Sequence, residues 1–247
     1  MGVADEVAVR QAAATGWVER DLRRLAAAAT AGLVVGFLVN GVGSRLAMLL
    51  LARLNPQATG RISDDGFRMG QFGLAETLDL VTFGVAIGVL GGVIFLVVRG
   101  LRFGPRWFRT SSMVVGPAVV VGALLVHTGG VDFTLLQPAW LSIALFVALP
   151  AMYAYAVVRL GDRWLREDSW FLTGSRWALL GLVPLVLAGP GLVLLLPVLI
   201  GHLAHRSVPT LRRPAVGRTT ALVARGALVL VFAVGLVDLV RDTVRLV

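Results

Sequence analysis

Three histidines and a few carboxylates are the side chains whose types and spacing suit metal binding or proton transfer. His202 and His205 stand three residues apart. On a helix both rings share one face and can chelate a metal ion, and His127 with Asp132 would complete such a site. Glu76 and Asp79 also share a helical face, and an arginine, Arg45, lies inside the preceding apolar run. An unpaired charge at a membrane centre costs about 2.5–3.5 kcal/mol on insertion scales. Two readings are open: a clasp of Arg45 with Asp79 or Glu76 that fixes helix register, or a cation- or proton-binding vestibule whose second carboxylate stays available. Asp64, Asp65 and Asp132 fall on the same side of the expected bundle and would belong to that vestibule. No Walker A, GxGxxG, GxSxG, SxxK or HExxH pattern occurs, and Ser44 has no histidine near it in sequence. Cysteine is absent, which removes thiolate nucleophiles and Cys-ligated zinc or iron–sulfur centres. No catalytic residue and no cofactor are expected.

The elements that must position these residues are apolar. The chain has 247 residues, 57% hydrophobic and only 15% charged, with a mean hydropathy of +0.84. Soluble domains carry nearer a quarter charged residues, and runs beyond about 18 apolar residues read as membrane crossings. The expected fold is therefore all-α, a polytopic transmembrane helical bundle of six crossings. A polar segment, 1–24, precedes the bundle at 25–240, and a short tail, 241–247, closes the chain. The crossings fall at about 25–51, 74–98, 111–126, 136–158, 177–203 and 219–240. Gly116-Pro117 should kink the third.

The first two crossings carry a matched pattern. Gly32, Gly36, Asn40 and Ser44 recur every fourth residue in one, and Gly84, Gly88 and Gly92 in the other. Such small-xxx-small stripes let helix backbones approach closely in lipid. Laid antiparallel, Gly32 faces Gly92, Gly36 faces Gly88, Asn40 faces Gly84, and Arg45 comes opposite Asp79.

Orientation is read from the arginines, which supply all 23 basic residues. With six crossings, fourteen gather on the side of the N-terminus and seven on the other, so both termini are expected inside. The weak point is the loop with Arg206, Arg212, Arg213 and Arg218. If the fifth segment, with Pro184, Pro190 and Pro197, were a re-entrant hairpin, that loop would move inside and the C-terminus outside, giving sixteen to five. Length favours one kinked crossing, because two halves of about 13 residues rise only ~20 Å each against ~30 Å of hydrocarbon. Trp17, Trp107, Trp164, Trp170 and Trp177 are expected at the inner interface and Trp140 at the outer one.

The net charge of +9 fits arginines at anionic headgroups, with no basic, aromatic-interleaved domain for nucleic acid. No cleavable signal is evident at the start, so the first crossing is expected to act as a signal anchor. Arginine without lysine, alongside abundant Ala, Val, Leu and Gly, points to a GC-rich bacterial genome. At Asn40-Gly-Val-Gly-Ser-Arg45, Asp64-Asp-Gly-Phe67 and His127-Thr-Gly-Gly-Val-Asp-Phe133 the chain resembles multi-pass membrane proteins of high-GC Gram-positive bacteria that have no assigned activity. The resemblance covers about residues 20 to 170. It implies a multi-pass protein of the bacterial cytoplasmic membrane and no catalytic residue. The functional expectation is a non-enzymatic membrane protein, either a small-solute permease-like bundle or an accessory subunit. Its partners would be the lipid bilayer and other membrane subunits or further copies of itself. An assembly partner in a membrane complex, or an outer-face metal-dependent enzyme built on the histidines, are the alternatives.

Overall fold

The computed structural model describes residues 3–63, 66, 68–69, 73–129, 133, 135–189, 193 and 214–247. The architecture is all-α. In chain order it comprises α1 (Val3–Val35), a π-helical segment (Gly36–Gly43), α2 (Ser44–Leu54), α3 (Leu74–Arg99), α4 (Arg106–Leu125), α5 (Ala139–Trp164), α6 (Trp170–Thr173), a 3₁₀ segment (Arg176–Leu182), α7 (Leu185–Ala188) and α8 (Pro214–Leu246). An isolated antiparallel bridge, Ile62 to Arg68, lies between α2 and α3. Among the described residues five helices are long and apolar enough to cross a membrane: Val18–Leu54, Leu74–Arg99, Arg106–Leu125, Ala139–Trp164 and Gly217–Leu246.

The inner half of α1 is the hub of the bundle. Ala26, Ala27, Ala28 and Ala29 are consecutive and every one is fully buried. Four consecutive helical positions point in four directions, so α1 is enclosed on all sides here. Alanine permits this because it adds helix propensity with almost no volume to clear. One side of the enclosure is α5, through Val157 and Val158, and another is Ala178 of the 3₁₀ segment. Val85 and Val89 of α3 and Ala188 of α7 close the remainder around Ala29.

Helix polarity is fixed by paired positions. Phe95 packs on Gly161, and Tyr153 on Gly91, so α3 and α5 run parallel. Gly122 meets Val147, and Val126 clusters with Ile143, so α4 and α5 run antiparallel. Gly235 approaches Val120 and Leu239 approaches Gly122, so α8 runs parallel to α4. Its opening is tied to the α3–α4 turn by Arg225, whose Nε donates to the Leu101 carbonyl at 3.0 Å.

The described residues hold five helices of membrane-crossing length where six crossings are expected. The beginning of α8 sits at the end of the bundle that holds Arg99, Asp162 and the start of α4, and Val247 lies at the opposite end from Val18. The chain between α5 and α8 thus starts and finishes at the same end. Its described part does not form the single kinked crossing expected over 177–203. It is a short 3₁₀ run, then one helical turn closed by Gly189 at φ +43°. Pro184 interrupts the helix ladder between the two. Ala178 lies level with Ala26, and Ala188 level with Ala29 and Leu33, so the run advances only about 10 Å along α1. Pro190, Gly191 and Pro197 lie outside the described residues.

α4 begins at Arg106, five residues before the expected start, and Pro117 is accommodated without ending the helix. α5 likewise runs through the buried Pro150.

Candidate functional site

The most tightly built contact in the bundle is the α1–α3 seam. A Cβ on Gly36 would lie 2.8 Å from both the Gly84 carbonyl oxygen and the Gly88 Cα. One on Gly92 would lie 3.0 Å from the Gly32 Cα, and one on Gly88 would lie 2.5 Å from the Gly32 carbonyl. The two backbones thus touch from Gly32 to Gly36 and from Gly84 to Gly92, with no side chain between them. The Tyr153 hydroxyl of α5 donates to the Gly88 carbonyl at 2.5 Å, placing a third helix against the same point.

Beyond Gly36 the pattern changes. The Ser44 amide donates to the Val39 carbonyl, the wider hydrogen-bond step of a π-helix. The extra residue in the turn rotates the rest of the helix. Gly41 then takes the close-contact position: a Cβ on Gly84 would lie 2.7 Å from the Gly41 nitrogen, and one on Gly41 would lie 3.3 Å from the Val81 Cα. The stripe on this helix is therefore Gly32, Gly36, Gly41, and one turn later Arg45. Asn40 stands beside the seam, its Nδ2 donating to the Gly84 carbonyl at 3.4 Å, and Ser44 is half-buried.

Arg45 is only 7% exposed, as its place in line with the buried stripe requires. Glu76 continues the α3 stripe of Leu80, Gly84 and Gly88 by one turn. It occupies the first turn of α3, where the helix dipole favours a carboxylate. Asp79 falls on the other face of α3, exposed like Leu78, Thr82 and Phe83. Among the described residues neither Glu76 nor Asp79 forms an ion pair. Arg45 thus lies in line with the seam while Asp79 lies on the exposed face of α3, and the π-helical turn supplies the reason. One inserted residue carries Arg45 about 100° around its helix, away from the register that would have brought Asp79 opposite it.

Among the other expected site residues, His127 is exposed at the end of α4, with its ring 6.5 Å from that of Phe133. Asp64, Asp65, Asp132, His202 and His205 lie outside the described residues. No group of three metal-binding side chains occurs among the residues that are described.

Three polar anchors were not singled out from the sequence. Asp162 of α5 accepts from Arg102 on both oxygens at 2.8 Å and from the Arg99 Nε at 3.0 Å. The guanidinium of Arg102 also stands 5.7 Å from the Phe95 ring centre. Arg23, paired with Glu19 at 2.9 Å as the i,i+4 spacing implies, turns its Nη1 to the carbonyls of Phe171 and Gly174. At the other end, the buried Asn55 embraces the Gln137 peptide, accepting its N–H at 2.7 Å and donating to its carbonyl at 2.9 Å. Each links elements far apart in sequence, so periodicity within one helix carried no sign of them. A solitary acid among arginines (Asp162) and an asparagine directly before a proline (Asn55) were the available cues.

Chemically, this arrangement offers a sealed glycine seam, one buried cation in the half of the bundle away from Arg23, and three interhelical anchors. No family model matches the chain, and neither a curated protein nor a solved structure matches it.

Proposed function

We propose that this chain is a non-enzymatic integral protein of a bacterial cytoplasmic membrane, acting as a helical subunit of a larger membrane assembly. The observation that carries the reading is the α1–α3 seam. Backbone-to-backbone contact from Gly32 through Gly41 leaves no room for a solute between α1 and α3 along that stretch. The arginine pattern gives the orientation. Arg23, Arg99, Arg102, Arg106 and Arg225 lie at one end with the exposed Trp107, Trp170 and Trp177, so that end is cytoplasmic. Val247 is then outside, and the arginine count is the one with sixteen inside and five outside. The resemblance of Asn40–Arg45 and His127–Phe133 to multi-pass proteins of high-GC Gram-positive bacteria supports the location.

The test is the native mass in a mild maltoside detergent, with cross-linking from cysteines placed on α8. A subunit role gives a species heavier than the 26.2 kDa chain with its micelle, and cross-links to a second membrane protein or a second copy. The competing permease-like reading draws on the buried Arg45 beside a π-helical turn. A monomer that exchanges a solute in proteoliposomes would establish it instead.

A further inference from the structure

The opening of α8 carries a basic face that bundle packing engages only through Arg225. A groove of about 500 Å³ is lined there by Gly217, Arg218, Ala221, Leu222 and Arg225. Positions 218, 221, 222 and 225 share one helical face, and Gly217 and Ala221 keep its floor low. Arg225 is set in an otherwise apolar stretch and is held in place. Its Nε is fixed by the Leu101 carbonyl at 3.0 Å, and the guanidinium stands 5.0 Å from the centre of the Phe103 ring. Arg218, two turns earlier, is exposed and lies about 10 Å along the axis.

We propose that this groove binds the phosphate headgroup of an anionic phospholipid, with Arg225 and Arg218 as its two cationic walls. Guanidinium groups suit a phosphate because they donate paired hydrogen bonds in a fixed fork. Neighbouring residues set the depth. Trp107 and Phe103 are exposed at the same end, the level at which aromatic side chains meet headgroups. The carboxylate of Asp162 is already engaged by Arg99 and Arg102. Below Arg225 the exposed side chains of α8, including Leu228, Val229 and Val231, offer an apolar track for acyl chains. Basic pockets between membrane helices on the cytoplasmic side recognise such headgroups.

The proposal rests on the membrane reading above, and carbonate washing of membranes tests that reading separately, since a peripheral protein would be released. The lipid site is tested on the full chain purified in maltoside detergent, by native mass spectrometry and thermal unfolding. Phosphatidylglycerol is expected to stay bound and to raise the melting temperature by several degrees, with phosphatidylcholine doing neither. Arg225→Gln should weaken retention at least tenfold. Arg218→Gln should weaken it several-fold while leaving the lipid-free melting temperature unchanged, because Arg218 is exposed. Arg109→Gln, an exposed arginine at the same end, should retain the lipid as the wild type does. Equal loss in all three variants would overturn the site in favour of general charge attraction. If glycerol 3-phosphate at millimolar concentration reproduced the phosphatidylglycerol shift, the lipid assignment would give way to a soluble phosphate ligand.

Discussion

Gly36 and Gly88 meet without an intervening side chain: a Cβ added to Gly36 would sit 2.8 Å from the Gly88 Cα. Real side-chain carbons do not pack that closely against backbone, so an added methyl must push α1 and α3 apart. Gly88→Ala is expected to destabilise the protein by about 1–3 kcal/mol, the usual cost of overpacking. Gly226→Ala is the control, since a Cβ there meets nothing within 4 Å, and it should be neutral or slightly stabilising. Unfolding in mixed micelles compares the two; equal effects would mean the seam is not closed.

The placement of Arg45 in the seam and of Asp79 on the exposed face of α3 has its own consequence. Asp79→Asn should change stability by less than about 0.5 kcal/mol, as for other exposed positions. In a double-mutant cycle Arg45→Ala and Asp79→Ala should be additive within about 0.5 kcal/mol. A coupling above about 1 kcal/mol would restore the register without the π-helical turn.

Asp162 gives the opposite expectation. Two arginines converge on it, Arg102 through both carboxylate oxygens, and paired donors of this kind outlast solvent screening better than a single exposed contact. The Arg102→Ala/Asp162→Ala cycle should show coupling of about 1 kcal/mol. The Arg166–Asp168 pair, exposed on both sides, should show about 0–0.5 kcal/mol.

Asn55 is a purely structural anchor. Asn55→Ala strips the Gln137 peptide of a donor and an acceptor in a buried place and should cost about 2–3 kcal/mol. Arg53→Ala, exposed at the end of α2, should cost under about 0.5 kcal/mol.

What the sequence made legible was whatever repeats within one helix. Five apolar stretches, and the fourfold spacing of Gly32, Gly36, Gly84, Gly88 and Gly92, are visible because length and period alone encode them. The π-helical turn was not visible. Nothing in Gly36–Gly43 distinguishes it from a continuing α-helix by composition, yet its one extra residue redirected Arg45. The stretch beginning at Trp177 misled for a related reason. Hydropathy measures how many apolar residues stand in succession, while the 3₁₀ run and the turn at Gly189 decide how far they travel. Arg225 held the missing signal. An arginine early in the last apolar run sits more easily at the arginine-rich end than at the other, and weighing it there would have reversed α8.

The central claim is that the chain begins and ends on opposite sides of the membrane, with α8 parallel to α4. Its most direct test uses single cysteines in the natural Cys-free background and a membrane-impermeant maleimide on intact cells. Val247→Cys and Gln57→Cys are expected to label from outside, while Glu167→Cys labels only after permeabilisation. Protection of Val247→Cys alongside labelling of Gln57→Cys would place both termini on one side and contradict the account.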